Sequence, residues 1–380
     1  MRILLGITGG IAAYKAANLI RLFKEAGHEV TVLPTQNALN FIGEATLEAL
    51  SGNNINLDMY ADVADVRHVN LGQNADAIVI APATASFMAR VASGIADDLL
   101  LNAVLASTAP VFIAPAMHTE MWLNPATQDN VETLRSRGIT ILEPAVGRLT
   151  GSDSGPGRML EPEQIAEAVL SAGLLNGKRV IVTAGGTREP IDSVRFIGNA
   201  SSGRMGIELA KAARDMGATV TLIAANIDLP LPASVEAIRV TTVDELELAM
   251  DRDCDLLIMA AAVSDFRVKN PSQEKLKRGQ SINLELTPTK DLIASYSANH
   301  PGTVTVAFAL ADQKGQALVD IATQKLWDKG VDFIVANSVE ALGSESSTIH
   351  IVTKDDSEEI TSSKRELSRE ILSRVTPALS

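Results

Sequence analysis

The sequence predicts an α/β protein of two doubly wound domains, each a largely parallel sheet flanked by helices. Three observations carry that expectation. Short, wholly apolar runs alternate with segments of helical period, the rhythm of βαβ units. The same rhythm restarts after Asn176-Gly177-Lys178, which divides the chain into 1–175 and 176–380. Hydrophobic residues make up 46% of the 380 positions but aromatics only 3%, so the cores rest on Ala, Val, Ile and Leu, as parallel sheets covered on both faces do.

Taken in order, residues 2–8 (RILLGIT) read as a strand, Gly9-Gly10 as a turn and 11–26 as a helix with apolar Ile11, Leu19, Ile20 and Phe23. Residues 29–33 form the next strand, completing a right-handed crossover. Apolar runs at 75–81 and 110–114 give two further strands, and 139–142 a shorter fifth. Residues 147–161 are rich in glycine and poor in apolar side chains, the composition of a mobile flap, and a helix over 162–174 follows. In the second half, strands are expected at 180–183, 219–224, 256–260, 304–309 and 333–336. A helix follows Ser201, a polar excursion containing KLKRG spans 266–289, and an amphipathic helix ends the tail 355–374.

Charge and composition exclude several roles. The net charge of −13 disfavours nucleic acid and anionic membranes, so a phosphate-bearing ligand must be captured locally. The single cysteine, Cys254, allows no internal disulfide and suits a reducing cytoplasm. Lys15, Asn18 and Arg21 interrupt the apolar start at helical spacing, unlike a secretory signal, and no apolar run is long enough to span a membrane. Neither ITGGIAAYK nor TAGGTREP has the G-x-G-x-x-G spacing of a dinucleotide site. No acidic residue closes the second strand of either half, where Pro34-Thr35 and Asn226 stand instead.

The densest stretch is 178–206, KRVIVTAGGTREPIDSVRFIGNASSGRMG. A strand feeds a glycine loop and a helix, which presents backbone N–H groups to an anion. Between loop and helix lies a connection far longer than packing needs, carrying Arg188, Glu189, Asp192, Arg195 and Asn199. GGTREPIDSVRFIGNASSGRMG closely resembles the signature of phosphopantothenate–cysteine ligases, the second half of the bifunctional coenzyme A biosynthesis family. The first half resembles the flavin-dependent cysteine decarboxylases through GITGGIAAYKAANLIRLF, HVNLGQNADAIVIAPATA, GIADDLL and PAMHTEMWLNPATQDN.

The resemblance implies a flavodoxin- or Rossmann-like flavoprotein sheet followed by a Rossmann-like ligase sheet. It places FMN across Gly9, Gly10, Ile11 and Ala12, with Thr35, Ala83, Thr84 and Ser86. His68 falls on the decarboxylase's catalytic histidine. Met117, His118 and Arg158 fall at the substrate, with His118 standing where the family has a carboxylate-gripping asparagine. The flap position of the family's proton-donating cysteine is Gly151, which leaves Asp153 or His118 as protein donors. For the ligase half, the resemblance implies CTP and Mg2+ as co-reactants and an acyl-cytidylate intermediate. Asn199 would contact that acyl group as well as the substrate, and Lys275 would close over the nucleotide. Asp265, Phe308, Lys325 and Lys329 would complete the CTP site; no metal ligands are assigned. The expected partners are small molecules and further copies of the chain. Two rival readings keep the ligase with an altered decarboxylase half, or make the chain a non-catalytic flavin-binding regulatory subunit.

Overall fold

A computed structural model describes residues 1–55, 57–58, 67–148, 154–232, 234–277, 282–338 and 346–379. The chain divides into two compact units, Met1–Ser171 and Ala172–Ser380.

The first unit is built on a five-stranded, wholly parallel sheet in the spatial order Glu29–Pro34, Arg2–Ile7, Ala77–Ala83, Val111–Pro115, Thr140–Ile141. Its strands are apolar on both faces because helices cover both, and Ala77–Ala83 is buried throughout. The helix Lys15–Glu25 directs Ala16, Leu19, Ile20 and Phe23 inward. Of residues 147–161, expected as a mobile flap, the described part contributes to an antiparallel pair, Ala145–Arg148 with Ser154–Arg158, and 149–153 lie outside the described residues. The helix expected over 162–174 ends early, at Leu170, after starting on a capping box between Glu161 and Gln164.

The second unit carries an eight-stranded sheet, and here the expected parallel sheet proves mixed. Glu236–Val240, Thr219–Ala225, Arg179–Gly185, Leu256–Met259, Val304–Ala311 and Phe333–Ser338 are parallel. Ser346–Val352 and Ser357–Ser363 then add as antiparallel strands. Alternate residues of the central strands feed two separate cores. Val180, Val182, Leu256 and Ile258 face the helices Arg204–Asp215 and Lys364–Val375, whereas Ile181, Leu257, Ile334 and Ala336 face Gln316–Lys329. Part of the excursion over 266–289 is ordered as an antiparallel ribbon, Phe266–Val268 with Leu286–Pro288. Among the described residues, no helix is long and apolar enough to cross a membrane.

Candidate functional site

In the first unit, three loops leave the carboxyl ends of the three adjacent strands Glu29–Pro34, Arg2–Ile7 and Ala77–Ala83, where open α/β sheets bind ligands. A Cβ added at Gly9 would lie 2.6 Å from the Asn37 Cβ, so the first and second loops touch only because Gly9 has no side chain. The third loop is tied to the first strand through Thr8, which is buried. Its Oγ1 donates to the Pro82 carbonyl at 2.8 Å and accepts the Thr84 N–H at 3.0 Å. Thr84 then caps the helix Ala85–Ser93, accepting the Phe87 N–H at 3.3 Å, and leaves Ser86 exposed in its first turn. Gly9, Gly10, Thr35, Thr84 and Ser86 are thereby gathered at one end of the sheet, with Ala12 half-buried and Ile11 exposed beside them. Backbone amides, hydroxyls and a helix N-terminus without a neighbouring acid form a donor set that fits a flavin phosphate.

Met117 and His118 follow the fourth strand, and the returning flap strand lies directly against them. The Met117 N–H donates to the Gly157 carbonyl at 3.0 Å. Gly157 has φ 141°, and a Cβ there would meet the Met117 carbonyl oxygen at 2.3 Å, so only glycine permits this approach. His118 is exposed at the start of the short helix Thr119–Trp122. Arg158, expected at the substrate, pairs with Glu161. Glu161 also pairs at 2.9 Å with the buried Lys15. Burial raises the Glu161 pKa, but the Lys15 ammonium and the Arg158 guanidinium outweigh it and hold the carboxyl below its ordinary range. His68 lies in the helix Arg67–Asn74, while Asp153 falls outside the described residues.

In the second unit, a cavity of ≈ 910 Å³ opens at the carboxyl ends of the central strands. Its lining brings together Asn199, Asp265, Phe308, Lys325 and Lys329, residues spread over 131 positions of the sequence. Asn199 is held by its own amide, whose Nδ2 donates to the Val263 carbonyl at 2.8 Å. Lys325 and Lys329 sit one turn apart on the helix Gln316–Lys329, and Lys329 is paired with Asp291. Phe308 is half-buried, packed against the core as well as lining the cavity. Three further cations line it without having been expected from sequence: Arg204, Lys290 and Lys364.

Lys275 is exposed and lies outside that lining, but the long connection explains how its strand of chain is held. Asp192 is buried, and its carboxylate accepts the N–H groups of Val194 and Arg195 at 2.8 and 2.7 Å. It also accepts the N–H of Leu276 at 3.1 Å, while Arg195 donates to the Leu276 carbonyl at 2.7 Å. Both backbone groups of the residue after Lys275 are therefore gripped by one ion pair. Burial alone would raise the Asp192 pKa; these backbone donors and the Arg195 guanidinium reverse that and depress it strongly. The remaining charges of the connection are structural. Glu189 is buried and accepts the Val243 N–H at 2.8 Å, and Arg188 stacks over the Phe196 ring at 4.6 Å.

Cys254 is buried in the second unit, 3.3 Å from the Tyr296 hydroxyl, and burial raises its thiol pKa above the ordinary range. It is placed as an inert core residue. Among the described residues, no group of three or more His, Cys, Asp or Glu side chains is arranged to hold a metal ion.

Residues 1–172 match the Flavoprotein family, and residues 175–378 match the DNA/pantothenate metabolism flavoprotein C-terminal domain. The chain is 47% identical over 360 residues to the coenzyme A biosynthesis bifunctional protein CoaBC of Mycolicibacterium smegmatis, covering 89% of this chain and 87% of that one. It is 42% identical over 358 residues to the protein of that name from Vibrio vulnificus, covering 90% and 88%. Among solved structures, the C-terminal domain of a coenzyme A biosynthesis bifunctional protein CoaBC is similar at 30% identity. It spans 55% of this chain and 98% of that one, with a TM-score of 0.48.

Proposed function

Because the chain belongs to the family of bifunctional coenzyme A biosynthesis proteins, we propose a division of its chemistry between residues 1–175 and 176–380. It is an enzyme of coenzyme A biosynthesis that ligates and decarboxylates. In the proposed division, residues 176–380 join 4′-phosphopantothenate to cysteine at the expense of CTP, and residues 1–175 decarboxylate the product with FMN. The observation that carries the ligase assignment is the cavity that gathers Asn199, Asp265, Phe308, Lys325 and Lys329.

Amide formation from a carboxylate needs an activated acyl group. The substrate carboxylate attacks the α-phosphorus of CTP and expels pyrophosphate. The amine of cysteine then attacks the acyl-cytidylate and expels CMP. Asn199, fixed through Val263, offers its remaining amide N–H to the oxygen on which negative charge develops. Lys325 and Lys329 approach the nucleotide from one helix face, Asp265 and Phe308 contact it from the sheet side, and Lys275 closes over it. Mg2+ arrives bound to the triphosphate, a mode that needs few protein ligands.

In the first half, Gly9, Gly10, Ile11, Ala12, Thr35, Ala83, Thr84 and Ser86 would hold FMN. When bound, FMN supplies the oxidation of the cysteinyl thiol that gives the departing carboxylate an electron sink. His68 serves the oxidation and CO2 loss, and His118 grips the substrate carboxylate, with Met117 and Arg158 as further substrate contacts. Proton return falls to Asp153, His118 or water, since Gly151 stands at the family's cysteine position. That substitution, with His118, favours a second reading in which this half is altered in its final protonation.

The enzyme is proposed to act in the cytoplasm as a homo-oligomer. The test of the whole reading is product analysis of the full chain with phosphopantothenate, cysteine, CTP and Mg2+. Phosphopantetheine with CMP, pyrophosphate and CO2 is expected. Accumulation of the cysteine adduct would favour the second reading, and no CMP would remove the ligase assignment.

A further inference from the structure

The Asn199 amide is oriented by a carbonyl, and that carbonyl is itself held from its far side. Three segments meet there. Gly186-Thr187 follows the strand Arg179–Gly185, Gly198-Asn199 ends the ribbon strand Phe196–Gly198, and Ala262–Ser264 lies beyond the strand Leu256–Met259. Their main chains touch. A Cβ at Gly198 would lie 2.3 Å from the Thr187 carbonyl oxygen, and one at Gly186 would lie 2.5 Å from that of Asn199. Gly186 also bridges Ala262 in parallel register, and the Ala262 N–H donates to the Gly185 carbonyl at 2.8 Å.

Thr187 is the side chain at the centre of this junction. It is buried, and it is not among the residues that line the cavity. Its N–H donates to the Ala262 carbonyl at 3.2 Å, and its Oγ1 accepts the Ser264 N–H at 2.9 Å. The Ser264 N–H and the Val263 carbonyl belong to one peptide unit, which is planar and trans, so they point opposite ways from a single rigid plate. The Thr187 hydroxyl stands at one end of that plate. At the other end the Val263 carbonyl accepts the Asn199 Nδ2 at 2.8 Å. A rotation that freed the Ser264 N–H would turn the Val263 carbonyl with it and carry the Asn199 amide along. Ser264 is buried as well, so without the hydroxyl its N–H would have to turn or open to find another acceptor. Valine matches threonine in outline, so a packing role would be met by either; only the hydroxyl serves the N–H.

We propose that Thr187 is a positioning residue for the ligation: its hydroxyl sets the Val263–Ser264 peptide and, through it, the Asn199 amide that faces the developing oxyanion. The proposal rests on the ligase assignment above. Because Thr187 lies off the cavity lining, its loss acts on the rate of the chemical step and leaves nucleotide binding alone.

The experiment measures CTP-dependent pyrophosphate release by the full-length protein, with kcat and KM for CTP determined separately. A reacting group displaced by about 1 Å can lose on the order of a hundredfold in rate. Thr187→Val is therefore expected to lower kcat by about ten- to a hundredfold with KM within about twofold of wild type. Thr187→Ser keeps the acceptor and should restore most of the rate. In an Asn199→Ala background, Thr187→Val should cost less than about twofold more, because the amide it positions is already gone. Independently of turnover, Thr187→Val should speed amide exchange over 262–266, and Thr187→Ser should not. The pair Thr187→Ser and Thr187→Ala, which differ only in the hydroxyl, carries the same comparison if the valine variant does not fold. Wild-type kcat in Thr187→Val would overturn the role. A full loss repeated in the Asn199→Ala background would also overturn it, and so would a loss that serine does not restore, which would assign Thr187 to packing. If wild type releases no pyrophosphate, the ligase assignment itself has failed and the positioning role falls with it, while amide exchange still decides whether the hydroxyl holds the peptide.

Discussion

Replacing Asn199 separates a catalytic amide from a structural one, because the structure sets the size of the structural part. Among the described residues the side chain makes one hydrogen bond within the protein, from Nδ2 to the Val263 carbonyl at 2.8 Å. Its backbone rests on Gly186, where a Cβ would lie 2.5 Å from the Asn199 carbonyl oxygen, so the main chain is fixed independently of the side chain. Losing that one bond costs about 0.5–1.5 kcal/mol, which is at most on the order of a tenfold effect if positioning were its only role. Losing a donor to a developing oxyanion costs about 3–4 kcal/mol, or on the order of a hundred- to thousandfold in kcat. Asn199→Ala removes the donor, and Asn199→Asp keeps the volume while setting a carboxylate against both the Val263 carbonyl and the developing charge. Both variants should lose at least a hundredfold in CTP-dependent pyrophosphate release, with Asn199→Asp the worse. Decarboxylation of supplied phosphopantothenoylcysteine should be unchanged in the same preparations. Losses below tenfold in both variants would reduce Asn199 to a loop tether, and equal loss of both activities would refute the division of labour between the halves.

Purified full-length protein should be yellow, and Gly9→Ala should reduce flavin occupancy by wedging the first loop off Asn37, an overpacking of about 1–3 kcal/mol. A variant with full flavin content and unchanged absorbance would show that this contact does not shape the flavin site. Asp192, with its folded pKa depressed, contributes stability that is present above the unfolded value of about 3.9 and is lost as pH falls through the lower folded value. The grip on Leu276 should therefore persist through neutral and mildly acidic pH, and Asp192→Asn should speed amide exchange over 272–277 and raise KM for CTP. Unchanged exchange there would mean the strap is held by something else. Cys254→Ser should release CO2 at the wild-type rate, because the thiol is buried against Tyr296 in the second unit. If Asp153→Asn releases CO2 yet leaves flavin reduced, the flap carboxylate is the proton donor; wild-type behaviour would assign that step to His118 or water.

The parallel strands were legible because being covered on both faces leaves an apolar run that no exposed segment imitates. What escaped were the strands with weaker patterns. Glu236–Val240 and Ser357–Ser363 are edge strands, polar enough to read as loop, and they form because a neighbour offers an unpaired edge. Ser346–Val352 did carry a signal, since Ile349 and Ile351 alternate with polar residues and both enter the core. Gly147, Gly155 and Gly157 imply freedom, but the close approach of Gly157 to Met117 uses the missing side chain to pack the returning strand.

The cavity shows a different limit. Asn199 could be picked out by its place in a quoted motif, and Asp265, Lys325 and Lys329 only through the family resemblance. Arg204 stood inside the same motif but read as ordinary helix, and Lys364 lay in a tail with no motif. Yet both positions carried a physical signal. Ser363 and Glu366 form a capping box that marks where the last helix starts, which makes Lys364 its first residue. Gly203, with φ 74°, ends the Ser201-Ser202-Gly203 turn and makes Arg204 the first residue of the other helix. A lysine or arginine at the positive end of a helix is the reverse of what the dipole favours. One such reversal on a solvated surface costs only a few tenths of a kcal/mol and means little. Two that converge on one cavity, from helices packed on the same face, add their mutual repulsion to that cost. Sequence shows each reversal singly; only the fold brings both residues to the lining of one cavity.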